Sequence, residues 1–125
     1  MTHNDKDLLL RDLCARLPYG IKVEYENEIF NVEHVCPMYE EVKLDIPETW
    51  VIDVSEVKPY LFPMSSMTEE QDKEYALLQT SAGKEGFLYV WNCATMMKWL
   101  IENHFDYNEL IPKGLANDAT GKNIY

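Results

Sequence analysis

The chain is short of cations. Eleven Lys and Arg residues stand against 22 Asp and Glu, a formal net charge of −11. No two cations lie closer than five positions, so no basic patch is available to follow nucleic-acid phosphates or an anionic lipid surface. Glycine is scarce too. Its five residues are scattered and never form the spacing of a phosphate-binding loop. Cysteine is confined to Cys14, Cys36 and Cys93, an odd number, far apart and without a CxxC pair. That argues against a disulfide framework and fits reduced thiols in a cytoplasm. Apolar runs are short. Stretches such as 87–90 fall far below the roughly 18 residues that span a bilayer, and residues 1–7 are too polar and acidic for a secretory leader. The expectation is a cytoplasmic chain with no membrane contact.

What the chain does contain is enough apolar material, 46% of its residues, to build one core. At 125 residues a single domain over 1–125 is expected, burying roughly two-thirds of its unfolded surface. The acidity is concentrated. Residues 23–57 hold Glu24, Glu26, Glu28, Glu33, Glu40, Glu41, Asp45, Glu48, Asp53 and Glu56 against one cation, Lys43, and the rest of the chain is nearly balanced.

The periodicities predict an α+β fold. A helix over about 5–17 starts at Asn4 as N-cap, with Asp5 and Asp7 in its positive first turn. Its apolar stripe is Leu9, Leu10, Leu13, Cys14 and Leu17, with Arg11 and Arg16 pointing elsewhere. Pro18-Tyr19-Gly20 stops it. A β region over about 21–54 then alternates apolar and polar residues in four runs. These are Ile21/Val23/Tyr25, Phe30/Val32/His34, Val42/Leu44/Ile46 and Trp50/Ile52/Val54. Their short connections favour a small antiparallel sheet of three or four strands. A connector at 55–67, with two prolines and large apolar side chains, packs along the core. Thr68 and Gln71 form a capping box for a helix to about Gln79. A further helix runs from Trp91 or Asn92 to Asn103, with Cys93, Met97, Leu100, Ile101 and His104 on one side. Asp106 caps a last short helix through Leu110, disturbed by Pro112 and closed by Gly114, so the helical region covers about 68–114. The tail, 115–125, is polar and expected to be loose until Ile124 and Tyr125. Two or three C-terminal helices thus pack on the sheet.

Signatures of chemistry are thin. His34 and Cys36 are two apart and share a strand face, but a zinc site needs three or four ligands from separate points, and no HExxH is present. Ser65-Ser66 precedes a helix, where hydroxyls serve turns and caps, and no GxSxG occurs. The neighbouring pairs Glu40-Glu41 and Glu69-Glu70 are read as exposed, which leaves them unsuited to acid catalysis near neutrality. Glu24, Glu26 and Glu28 would lie about 7 Å apart along a continuous strand, close to phosphate spacing, the arrangement of a nucleic-acid mimic. Among the aromatic residues, Trp99 and Phe105 are read as core, and Tyr60 and Phe62 as a surface anchor.

Three stretches carry a resemblance: residues 9–20 (LLRDLCARLPYG), 57–70 (VKPYL, then Pro63 and SSMTEE) and 104–116 (HFDY and KGLA). Together they resemble a family of small uncharacterised proteins of gut bacteria and their phages or prophages. The chain departs from that pattern at Pro112, where a helix-compatible residue is usual, which implies a shortened last helix. The resemblance implies a cytoplasmic, phage- or mobile-element-linked setting and carries no functional residue over.

The expected function is therefore that of a non-enzymatic interaction or accessory protein whose acidic sheet region meets a protein partner, a basic one by charge. Glu24, Glu26, Glu28, Glu33, Glu40 and Glu41 are its candidate contacts. No catalytic residue, metal ligand or cofactor is assigned, and no direct nucleic-acid binding is expected. Two alternatives stand beside it: an enzyme with a site near His34 and Cys36, and a nucleic-acid mimic that inhibits a DNA-binding protein.

Overall fold

The structure, a computed structural model, describes residues 1–46, 51–81 and 86–125. Its first element is helix α1, His3–Arg16. Thr2, not Asn4, is the N-cap. Its hydroxyl accepts from the Asp5 N–H at 3.1 Å, and the Asp5 carboxylate accepts from the Thr2 N–H at 3.2 Å. That reciprocal pairing satisfies two end donors at once, which is why the helix begins there. The buried face of α1 is Leu9, Leu10, Asp12, Leu13 and Arg16, while Cys14 is exposed. The expected stripe is thus rotated, and Arg16 points inward.

Six strands follow: β1 (Lys22–Tyr25), β2 (Glu28–Cys36), β3 (Glu41–Leu44), β4 (Val51–Asp53), β5 (Lys58–Leu61) and β6 (Asn117–Asp118). They form one sheet in the order β4-β3-β2-β1-β5-β6. Every neighbouring pair is antiparallel except β5 with β6, so the sheet is mixed and larger than expected. The added strands come from segments with no alternation to read. β5 lies in the 55–67 stretch expected to be a connector, with Pro59, Tyr60 and Leu61 all buried, and β6 is only two residues long. The tail is tied down as well, since Tyr125 hydrogen-bonds back to the sheet. The expected fourth strand is present as β4, Val51–Asp53; Trp50 lies outside the described residues, and Val54 begins the 3-10 turn Val54–Glu56 that follows it.

This sheet is not flat. β2 pairs with β1 over its first half and with β3 over its second, with a register shift between Val32 and His34. Such a bulge bends a strand from one half-sheet into the other. β4 and β5 also stand four places apart, about 19 Å in a flat sheet. They are joined only through residues 54–57, whose extended reach of about 17 Å is shortened by the 3-10 turn. The sheet therefore curls into a half-open barrel. Val23, Val32, Val42, Leu44, Ile52, Val54 and Val57 fill its interior, and Leu9, Leu10 and Leu13 of α1 pack into the same core. α1 lies at the end of the barrel marked by the 37–40 turn and Asp53, where Lys6 pairs with Glu40 and Asp53. The opposite end has no such lid among the described residues.

Helices α2 (Glu69–Ser81) and α3 (Gly86–Glu102) form a hairpin beside this body. The Thr68–Gln71 capping box is present in both directions, at 3.1 and 3.0 Å. α3 starts earlier than 91 and ends one residue short of Asn103. Past α3 no last helix forms. Asp106 does not cap a helix: its carboxylate accepts from the Leu110 and Ile111 N–H groups, four and five positions on, at 2.8 and 2.9 Å and closes a series of turns instead. Phe105 instead bridges Phe62, with Phe62 N–H to His104 O and Asp106 N–H to Phe62 O, both 2.8 Å.

Candidate functional site

The open end of the barrel is a hollow of about 380 Å³. Its lining comes from three segments that the curl of the sheet brings together. The β1–β2 hairpin gives Tyr25, Glu26, Glu28 and Phe30, the end of β3 and β4 give Ile46, Val51 and Ile52, and the 54–56 turn gives Glu56. The hairpin is tight because Glu26 and Asn27 both take positive φ, 49° and 65°, the geometry of a two-residue turn matched to strand twist. Tyr25, Phe30 and Ile46 are half-buried at the margin of the core, with the Tyr25 and Phe30 rings tilted 57° at 6.3 Å. The floor is thus the hydrophobic core reaching the surface, and the rim is anionic.

That rim is uncompensated. Among the described residues no Lys or Arg pairs with Glu26, Glu28 or Glu56. Partial desolvation and the charges of Glu26 and Glu56 hold the Tyr25 phenol above its usual pKa, so it remains an O–H donor. No His, Cys or Ser is among the described lining residues, and the hollow therefore offers no nucleophile–base pair.

The six candidate glutamates do not form one surface. Glu26 and Glu28 meet at the mouth, joined by Glu56, which had not been singled out. Glu24 faces the other side of the sheet, where its carboxylate accepts from the Tyr60 hydroxyl at 3.4 Å. Glu33 is held by Lys43 at 3.5 Å and Glu40 by Lys6 at 3.4 Å. Glu41 stands opposite Cys36 and Asp53 at the far end of β3. Because the chain reverses at Glu26–Asn27, Glu24, Glu26 and Glu28 are not successive positions on one strand, and the phosphate-like ladder is broken.

His34 is exposed opposite Lys43, and Cys36 is half-buried at the strand end. Neither lines the mouth. Among the described residues no three His, Cys, Asp or Glu side chains are grouped to hold a metal, and no helix is long and apolar enough to cross a membrane. Tyr60, expected as a surface anchor, is buried, and Phe62 is half-buried. No family model matches the chain, and no curated protein or solved structure matches it either.

A second cluster of polar groups is buried between α1 and residues 104–108. The Arg16 Nε donates to Asp12 at 2.6 Å, and its Nη2 donates to Phe105 O at 2.7 Å and to Asp12 at 3.3 Å. Asn108 donates to Asp12 at 2.9 Å, and the guanidinium lies 4.8 Å from the Tyr107 ring centre. Nearby, the His104 ring stacks on Tyr125 at 3.5 Å. The Tyr125 hydroxyl accepts from Lys22 N–H at 3.0 Å and donates to Tyr60 O at 2.8 Å. Most of these groups are paired, although Arg16 Nη1 and His104 Nδ1 are buried without a hydrogen-bond partner among the described residues, and the cluster ties residues 104–108 to α1 and Tyr125 to the sheet.

The cluster has a pH consequence. Burial, then the Arg16 charge, lowers the His104 pKa from 6.5 to about 4, so the fold holds it neutral. The unfolded chain takes up that proton near pH 6.5. Stability should therefore fall between about pH 6.5 and 4 and lose nothing further from His104 below that, about 1–2 kcal/mol with solvent screening of the half-exposed ring. His104→Asn keeps a residue that tolerates the φ of 61° there. Urea unfolding across this pH range should show the His104 component in the wild type and not in the variant.

Proposed function

We propose that the protein is a non-enzymatic interaction or accessory protein that engages a basic protein partner through the acidic mouth of its barrel. The phage- or prophage-linked setting implied by the sequence resemblance is part of this proposal. One observation carries it: Glu26, Glu28 and Glu56 rim an apolar hollow with no cation of the described chain to neutralise them. Elsewhere in the acidic stretch Glu24, Glu33, Glu40, Asp45 and Asp53 have partners within the chain, which favours the mouth as the place where charge is free to meet a partner.

The test compares two charge-reversal variants on the same set of short peptides of graded positive charge. In one, Glu26, Glu28 and Glu56 become Lys; in the other, Glu33 and Glu41 do. Basic peptides should bind the wild type and the second variant, and lose binding to the first by tenfold or more, about 1.4 kcal/mol. Equal loss in both variants, or none in either, would reject the mouth as the binding surface. Circular dichroism of each variant confirms that the fold is retained.

A further inference from the structure

We infer that the hollow receives one aromatic side chain of the partner, presented between basic residues that stay in water at the rim. This rests on the proposed function and names what enters the site. The floor is formed by Tyr25, Phe30, Ile46 and Ile52, and Ile52 is only 5% exposed. Ile52 and Val51 point to opposite faces of β4, yet both line the hollow, and Val51 is 59% exposed. The apolar surface therefore runs from the core outward around β4, which ends the sheet and has no strand beyond it among the described residues. At about 380 Å³ the hollow is at the small end of the roughly 300–1,000 Å³ of ligand pockets, a size for one large side chain. The Tyr25 and Phe30 rings already pack tilted at 57° and 6.3 Å, and a third ring can join them in the same manner.

The rim sets what flanks the ring. Glu26, Glu28 and Glu56 are exposed, and none pairs with Lys or Arg among the described residues. Each can attract a cation by itself, with no common point of convergence. Such attraction in water is modest and chiefly steers and selects the partner. Burial of the ring supplies the larger share of affinity. A second copy of this chain is the wrong occupant, since at −11 it would set carboxylates against carboxylates.

The experiment is an NMR titration of the full chain with three blocked pentapeptides of equal charge, Lys-Lys-X-Lys-Lys, where X is phenylalanine, leucine or alanine. The phenylalanine peptide should give saturable shifts centred on Tyr25, Phe30, Ile46, Val51 and Ile52. It should bind about tenfold more tightly than the alanine peptide, with leucine between them. Added salt should weaken all three by the same factor and leave their ratios unchanged, because screening acts on the flanking charges and little on the buried ring. Val51→Glu adds negative charge at an exposed position, with the rest of the spectrum as the check on folding. It should reduce the phenylalanine advantage without weakening the alanine peptide, whereas a surface that binds by charge alone would hold all three more tightly. Phenylalanine binding no better than leucine overturns the inference, as does an undiminished phenylalanine advantage in Val51→Glu. If all three peptides bind equally and depend on Glu26, Glu28 and Glu56, the aromatic anchor fails and the proposed function stands. If binding does not depend on these residues, the proposed function fails with it.

Discussion

Asp12→Ala is expected to cost about 3–5 kcal/mol of folding stability, because it leaves the Arg16 charge buried without its counter-ion. Both side chains are fully buried, and their 2.6 Å contact lies within α1, on the face that the 104–108 segment covers. Arg16 would retain the Phe105 carbonyl and the Tyr107 ring, neither of which carries a neutralising charge. Asn108 would lose its acceptor as well. The double variant Asp12→Leu with Arg16→Met should recover most of the loss, since replacing both members with apolar side chains removes the desolvation cost along with the attraction. Urea denaturation of the three proteins measures it. A loss below about 1 kcal/mol for Asp12→Ala would mean that the pair behaves as a solvated surface bridge.

Phe105→Ala should cost a similar amount, about 3–5 kcal/mol, for a different reason. Phe105 is 1% exposed, and its ring stacks on Trp99 at 5.6 Å and meets Phe62 at 6.3 Å. Trp99 in turn stacks on Tyr75 of α2 at 5.7 Å and donates its indole N–H to Glu74 at 3.0 Å. This row of rings joins the α2–α3 hairpin to the barrel. Removing its middle member leaves a cavity where the two bodies meet. Amide hydrogen exchange should therefore rise first in α2 and α3 and later in β1 and β2. Uniform acceleration across all elements would instead mean that hairpin and barrel unfold as one unit.

Much of this architecture could be read locally. Thr68 and Gln71 announce a helix start by their spacing, and Val23, Val32, Val42 and Leu44 show the period of a half-buried strand. Each signal lies within a few residues of its own element. β5 could not be read this way, because Pro59, Tyr60 and Leu61 are buried together and leave no alternation. Arg16 was misplaced for a related reason. A charged residue is assigned outward unless its partners are known, and Phe105 lies 89 positions away. The i,i+4 spacing of Asp12 and Arg16 was the only local hint. For the candidate site, Glu26 and Glu28 were visible as charges but not as neighbours of Glu56. Their convergence follows from the curl of the sheet and from which end α1 covers, and neither is written in a local period.

The long-range bonds that close the fold also order its assembly. Hairpins such as β1–β2 need only nearby residues and can form early. Arg16 finds Phe105 O, and the Lys22 amide finds the Tyr125 hydroxyl, only when segments 89 and 103 residues further along arrive. Until then the α1 ion pair remains in water and one side of β5 has no β6 beside it. A chain emerging from the ribosome therefore carries a half-finished sheet with an open edge until residues 105–125 arrive as the closing piece that commits it to the native state.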